Sequence, residues 1–183
     1  MEHKSTTPAP ETSEATLLIG HYNDIFSSFY IRPYSKRALS VDFLDELKRA
    51  VRDTSEEKVE LVFLVPGKHR DEYHETVIKE RLAAHFKIHY NILLNEKYRI
   101  RKTGIGMVVM GIACMVAATF MLSENSARGF FHSFLVVLLE PAAWFLLWEG
   151  MDQIIFNSKS INPELNFYHK MSTAHERVYF KSY

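Results

Sequence analysis

From residue 103 to residue 122 the chain reads TGIGMVVMGIACMVAATFML and carries no charged side chain. As an α-helix, about twenty such residues cross the roughly 30 Å hydrocarbon core of a bilayer. A soluble core helix is the competing explanation. Helices of soluble domains keep a polar face, however, and this run has none. A second run at 130–148, FFHSFLVVLLEPAAWFLLW, is similarly long and carries His132 and Glu140. The connection at 123–129 is too short for a domain, so the two spans are expected to form an antiparallel transmembrane hairpin, 103–148.

Flanking charge sets the orientation of such a hairpin. Lys97, Arg99, Arg101 and Lys102 crowd the entry to the first span, whereas Arg128 is the loop's only basic residue. The positive-inside rule then places the N-terminal part in the cytoplasm, and the 149–183 tail, with Lys159 and Lys170, returns there. Trp144 and Trp148 suit an interfacial anchor at the exit. The same basic cluster could contact anionic lipid headgroups, but topological charge alone suffices to account for it and is the favoured reading.

Before the hairpin the chain is charged and mixed. Residues 1–14 are polar and rich in Thr, Ser and Pro, lack the apolar stretch of a secretory signal, and read as a disordered tail. Residues 15–20 form a short apolar segment, and DIFSSFYIRP at 24–33 reads as a strand. Ser40 resembles a helix N-cap, with Val41, Leu44, Leu47 and Val51 on one face of a helix over 41–53. KVELVFLV at 58–65 is a strand apolar enough to be covered on both faces. From about His69 the stripe Tyr73, Val77/Ile78, Leu82, Phe86, Tyr90 and Leu93 predicts a long helix running into the first span. The expected fold is an α+β cytoplasmic domain over 15–102, approximately β-β-α-β-α, fused through that helix to the hairpin. Phe167, Tyr168, Tyr179 and Phe180 suggest that the C-terminal tail folds back onto it.

Balanced charge, 22 acidic and 22 basic residues, argues against nucleic acid as a partner. Cys114 is the single cysteine, so no intrachain disulfide or thiolate metal cluster can form. Phosphate-loop, dinucleotide-binding, nucleophile-elbow and zinc-finger spacings are absent, which makes enzyme the weakest class and indicates no cofactor.

Several residues stand out against this background. Glu140-Pro141 puts a carboxylate and a helix-breaking residue in mid-span, where a charge is costly and usually faces a bundle interior or water. The pair suggests a kink lined by a polar group. It serves either an ion or proton pathway in an oligomer or, the favoured reading, a hydrogen-bonded glutamate holding helices in register. Gly104, Gly111, Cys114 and Ala118 lie on one helix face, with Gly106, Ala113 and Ala117 on an adjacent one. Both sets permit close helix contact, within the hairpin or between subunits. His85 and His89 stand four apart and could share one metal ion, but the sequence places no third ligand. Glu149 and Asp152 are expected to pair with the basic cluster.

The strand KVELVFLVPG, the long helix through NEKYRIRK and the exit WFLLWEGMDQIIF make the chain similar to uncharacterised bacterial two-transmembrane-helix membrane proteins. That resemblance implies a bacterial inner-membrane location and supplies no activity. The expectation from residues and resemblance together is a membrane-anchored, non-enzymatic interaction or regulatory module. Membrane lipids, other copies of the chain and a cytoplasmic protein would be its partners. The alternative is an oligomeric ion or proton channel with Glu140 facing the lumen.

Overall fold

The computed structural model describes residues 13–29, 32–52, 59–123 and 129–183. Most of the expected N-terminal tail, Tyr30, Ile31, Asp53, Lys58 and the loop residue Arg128 lie outside the described residues. The chain divides into two compact units. One comprises Met1–Asn91 with Leu165–Tyr183, and the other Ile92–Glu164.

The first unit is built on a three-stranded parallel sheet. Strands β1 (Ser13–Leu18), β2 (Val59–Val65) and β3 (Val178–Ser182) lie in the order β1-β2-β3. The register runs Ser13↔Val59 to Leu18↔Leu64 on one side of β2, and Leu61↔Val178 to Val65↔Ser182 on the other. Central β2 buries Val59, Leu61, Phe63 and Val65 on one face; on the other Val62 is buried and Glu60 and Leu64 are half-buried, so the second face is covered only in part. Edge strand β3 instead alternates, with Val178 and Phe180 in and Tyr179 out.

Parallel neighbours need crossover connections. Between β1 and β2 that connection carries helix α1 (Val41–Arg52), which buries Phe43, Leu47 and Val51. Asp42 in its first turn and Arg49 and Arg52 in its last match the helix dipole. Leu44 is only half-buried and Val41 is exposed, so the core stripe is set by Phe43 rather than by Val41. Between β2 and β3 the chain forms α2 (Glu72–Ser123), α3 (Phe130–Asp152), a π-helical stretch at Gln153–Asn157, the short turn α4 (Ser158–Ser160) and α5 (Asn162–Thr173). The whole second unit is thus inserted, in sequence, between two neighbouring strands of the first.

Two expectations change. The strand expected at 24–33 is absent among the described residues, where Tyr22–Ile25 is instead a 3-10 turn. After Gly20 the chain closes on itself: Asp24 N–H donates to the His21 carbonyl at 2.9 Å, and His21 N–H to Asp24 Oδ2 at 2.9 Å. Such local bonds compete with a ladder. Only Phe26 keeps an extended pairing, an isolated antiparallel bridge to Leu39. The third strand comes from residues 178–182, which sequence reasoning left without structure. The strand-helix order is therefore not β-β-α-β-α; the sheet is completed from beyond the second unit.

The core of the first unit is aromatic. Phe63 meets Phe180 at 5.3 Å and Phe43 at 5.9 Å between ring centroids, and Phe86 meets Phe167 and Tyr168 at 6.2 and 6.3 Å. Phe180→Ala is expected to lower stability by about 3 kcal/mol, as cavity-forming truncations of buried phenylalanines do. The thermal midpoint of the first unit should fall accordingly. An unchanged midpoint would mean that β3 does not hold the sheet.

Candidate functional sites

At the carboxyl ends of β1 and β2 the chain turns into the start of α2 and builds a polar network. Asp71 is the N-cap of α2: its Oδ1 accepts from the N–H groups of Tyr73 at 2.9 Å and His74 at 3.3 Å. Its Oδ2 pairs with His74 Nδ1 at 2.9 Å. The backbone bond from His74, reinforced by the imidazole, holds the Asp71 carboxyl below its ordinary value.

One turn on, Glu75 is buried. Arg70 grips it with two bonds, Nε to Oε1 at 2.9 Å and Nη2 to Oε2 at 3.0 Å. The Tyr22 hydroxyl donates to Glu75 Oε1 at 2.9 Å and accepts the Asp71 N–H at 3.0 Å. Burial works to raise the Glu75 carboxyl, but the bonds from Arg70 and Tyr22 outweigh it and the group sits below its usual range. For Tyr22, burial and the neighbouring carboxylate push the phenol up. These groups satisfy one another and clamp the first turns of α2.

Beside it lies a cavity of about 350 Å³ whose walls include Arg32, Tyr34, Arg37, Tyr73 and His74. Arg37 is held by Asn23 Oδ1 at 2.7 Å and by the Ser27 carbonyl at 3.0 Å. Its position at the carboxyl edge of a parallel sheet is where open α/β sheets present ligand sites.

Sequence reasoning missed Tyr22, Arg70 and Glu75. One signal was available. Glu75, Ile78, Leu82 and Phe86 are the buried stripe of α2, whereas Tyr73, placed on that stripe from sequence, is exposed. A carboxylate in register with a buried stripe demands a cationic partner.

His85 and His89 come together with ring centroids 4.2 Å apart, and His89 stacks on Tyr168 at 5.2 Å. Among the described residues no group of three or more His, Cys, Asp or Glu side chains is arranged to hold a metal. His85 Nε2 is buried and finds no hydrogen-bond partner there. Burial, followed by the charges of His89 and Arg81, lowers its pKa to about 4.

In the second unit, α2 and α3 pack through a seam of small residues. Gly104, Gly111 and Ala118 on α2, and Val136, Ala143 and Gly150 on α3, are buried at seven-residue spacing, the period of a left-handed helix pair. A Cβ on Gly150 would lie 2.7 Å from the Gly104 carbonyl oxygen, and one on Gly104 would lie 2.8 Å from that of Gly150. A Cβ on Gly111 would meet the Ala143 carbonyl at 3.0 Å. Cys114 is half-buried at the same seam. Gly106 has nothing within 4 Å of its would-be Cβ, and Ala113 and Ala117 are exposed, so the two small-residue sets face different ways.

At the far end His132 Nε2 donates to the Met121 carbonyl at 2.9 Å. That carbonyl is among the last of α2, which have no partner within the helix, and His132 thus caps one helix from the other. Glu140 and Pro141 are both exposed, and α3 continues as α-helix through them. Trp144 and Trp148 also face outward.

The expected pairing of Glu149 and Asp152 with the basic cluster is not formed among the described residues. Glu149 accepts from Gln153 at 2.9 Å, Asp152 from Asn157 at 3.4 Å, and Lys97 donates to Asn162 Oδ1 at 2.6 Å. The Asp152–Asn157 bond spans five residues, the spacing of the π-helical stretch it accompanies. Arg99, Arg101 and Lys102 are exposed. Lys97, Arg101 and Lys102 line a groove of about 760 Å³ with Leu94, Tyr98 and Ile105, and Arg99 does not.

No protein family matches the chain, and no curated protein or solved structure shows significant similarity to it. The resemblance to two-span bacterial membrane proteins rests on residue pattern alone.

Two outcomes follow from these contacts. Gly150→Val should force the two helices apart and lower the thermal midpoint in detergent more than Gly106→Val, whose site is open; equal shifts would deny the seam its role. For His85 the folded pKa lies below the unfolded one near 6.5, so the unfolded chain takes up the extra proton. The stability this neutral histidine contributes is complete above pH 6.5 and is lost as pH falls towards 4. Its size is bounded by about 3 kcal/mol and reduced by partial exposure. His85→Leu should flatten the pH dependence of the midpoint in that window; an unaltered slope would place the titration elsewhere.

Proposed function

We propose that this chain is a membrane-anchored, non-enzymatic interaction module. The observation that carries the reading is the exterior of the glycine-seamed helix pair. Two helices are long and apolar enough to cross a membrane. Around their seam, Val109, Met110, Val116, Phe120, Phe134, Val137, Phe145 and Trp148 all point outward. Water would make that surface an aggregation site, whereas lipid would solvate it.

In this reading the helix pair spans a bacterial inner membrane, and the basic residues at 97–102 keep the sheet-bearing unit in the cytoplasm. The saturated Tyr22–Glu75–Arg70 clamp favours binding over chemistry. The neighbouring groove, with its arginines and exposed Tyr73, is the surface offered to an acidic or aromatic segment of a protein partner.

A second reading draws on Glu140. A carboxylate at mid-span and on the outside of the helix pair costs about 2.5–3.5 kcal/mol against lipid, so a neighbouring helix or water is expected to cover it. Self-association would do so. An oligomeric channel with Glu140 towards the lumen is one form of that assembly.

Alkaline carbonate should leave the protein in the membrane pellet, and protease added outside sealed cells should spare the sheet-bearing unit. Release by carbonate would overturn the membrane reading. Reconstituted in liposomes, wild type and Glu140→Gln separate the two readings: flux reduced in the variant supports the channel. An intact oligomer with no flux in either protein leaves the anchor.

A further inference from the structure

The basic groove of the second unit has two properties that flanking charge alone does not provide. The first is a shared direction. Leu94, Tyr98, Arg101 and Ile105 recur at intervals of three to four residues and therefore lie on one face of α2. Lys97 and Lys102 flank that face. Arg99 precedes Arg101 by two residues, which at about 100° per residue turns it to roughly the opposite side.

The second property is a mismatch of partners. Lys97 is held in place by Asn162 at 2.6 Å. Arg101 and Lys102, by contrast, have no carboxylate within ion-pair distance among the described residues. Cations without counter-charge thus share a groove with the apolar side chains of Leu94 and Ile105 and the ring of Tyr98. At about 760 Å³ it lies within the range of small-molecule sites.

A ligand that answers all of these features is anionic at one end and apolar at the other. We propose that the groove binds one anionic phospholipid, its headgroup phosphate held by Lys97, Arg101 and Lys102 and its acyl chains running past Ile105 along the charge-free stretch. A free inorganic anion would leave the apolar wall in water. A zwitterionic lipid would bring its own cation against the three basic groups. The proposal rests on the membrane reading above and deepens it, turning topological charge into a defined site.

The test uses full-length protein purified in mild detergent and examined by native mass spectrometry. It is titrated with phosphatidylglycerol, phosphatidylcholine or inorganic phosphate. Wild type should retain phosphatidylglycerol over phosphatidylcholine, with inorganic phosphate unable to compete. Arg101→Gln should weaken that preference about fivefold, and with Lys102→Gln added by at least about tenfold. Arg99→Gln should leave it unchanged.

Equal losses for Arg99→Gln and Arg101→Gln would overturn the proposal in favour of diffuse surface charge. Displacement by inorganic phosphate, or equal retention of both lipids, would also overturn it. The carbonate wash keeps the two ideas separable: a protein that stays in the membrane yet shows no lipid preference fails only here, whereas one released by carbonate fails the membrane reading itself.

Discussion

A central parallel strand must be hydrogen-bonded along both of its sides, and in this protein that requirement falls on β2. Its two edges pair with β1 and β3, and its Phe63 face is buried, so the backbone N–H and C=O groups along it need protein partners. One partner, β1, lies a single crossover away. The other, β3, lies beyond the entire second unit. Phe63 ties the three layers of this solution together. It packs against Phe43 from α1 and against Phe180 from β3, so helix cover and strand pairing are fixed by the same side chain.

The second unit answers a different constraint. On the proposed membrane reading, two apolar helices would have no hydrophobic reason to associate, so close packing and hydrogen bonds would have to suffice. Gly104 and Gly150 remove the side chains that would separate the backbones, and His132 closes the far end on the Met121 carbonyl. The polar residues expected to carry function therefore divide by surroundings. His132 is engaged in capping, whereas Glu140 faces outward.

Much of this could be read from residue pattern where the pattern is regular. β2, α1 and the two long apolar helices follow from periodicity and composition, since each buries or exposes a whole face. Regularity failed where single contacts decide. Ile25 and Phe26 are apolar enough for a strand, yet the bonds between His21 and Asp24 close a 3-10 turn first. β3 is a five-residue edge strand whose alternation, VYFKS, is too short to stand out beside a charged helix. The Tyr22–Arg70–Glu75 clamp joins residues 53 positions apart and has no local signature beyond an acidic residue on a buried stripe. The groove at 94–105 was half legible: its charges were evident, but which of them share a face required the helix itself.

Placing β3 at the end of the chain has a consequence for biogenesis. A ribosome delivers β1, α1 and β2 first, and the sheet then waits, with one edge of β2 unpaired, until α2, α3 and α5 have been synthesised. Unpaired edges of apolar strands invite wrong pairing. On the proposed membrane reading, the last strand of the sheet is made only after both apolar helices, so a chain stalled at insertion would present the open edge of β2 to chaperones and proteases.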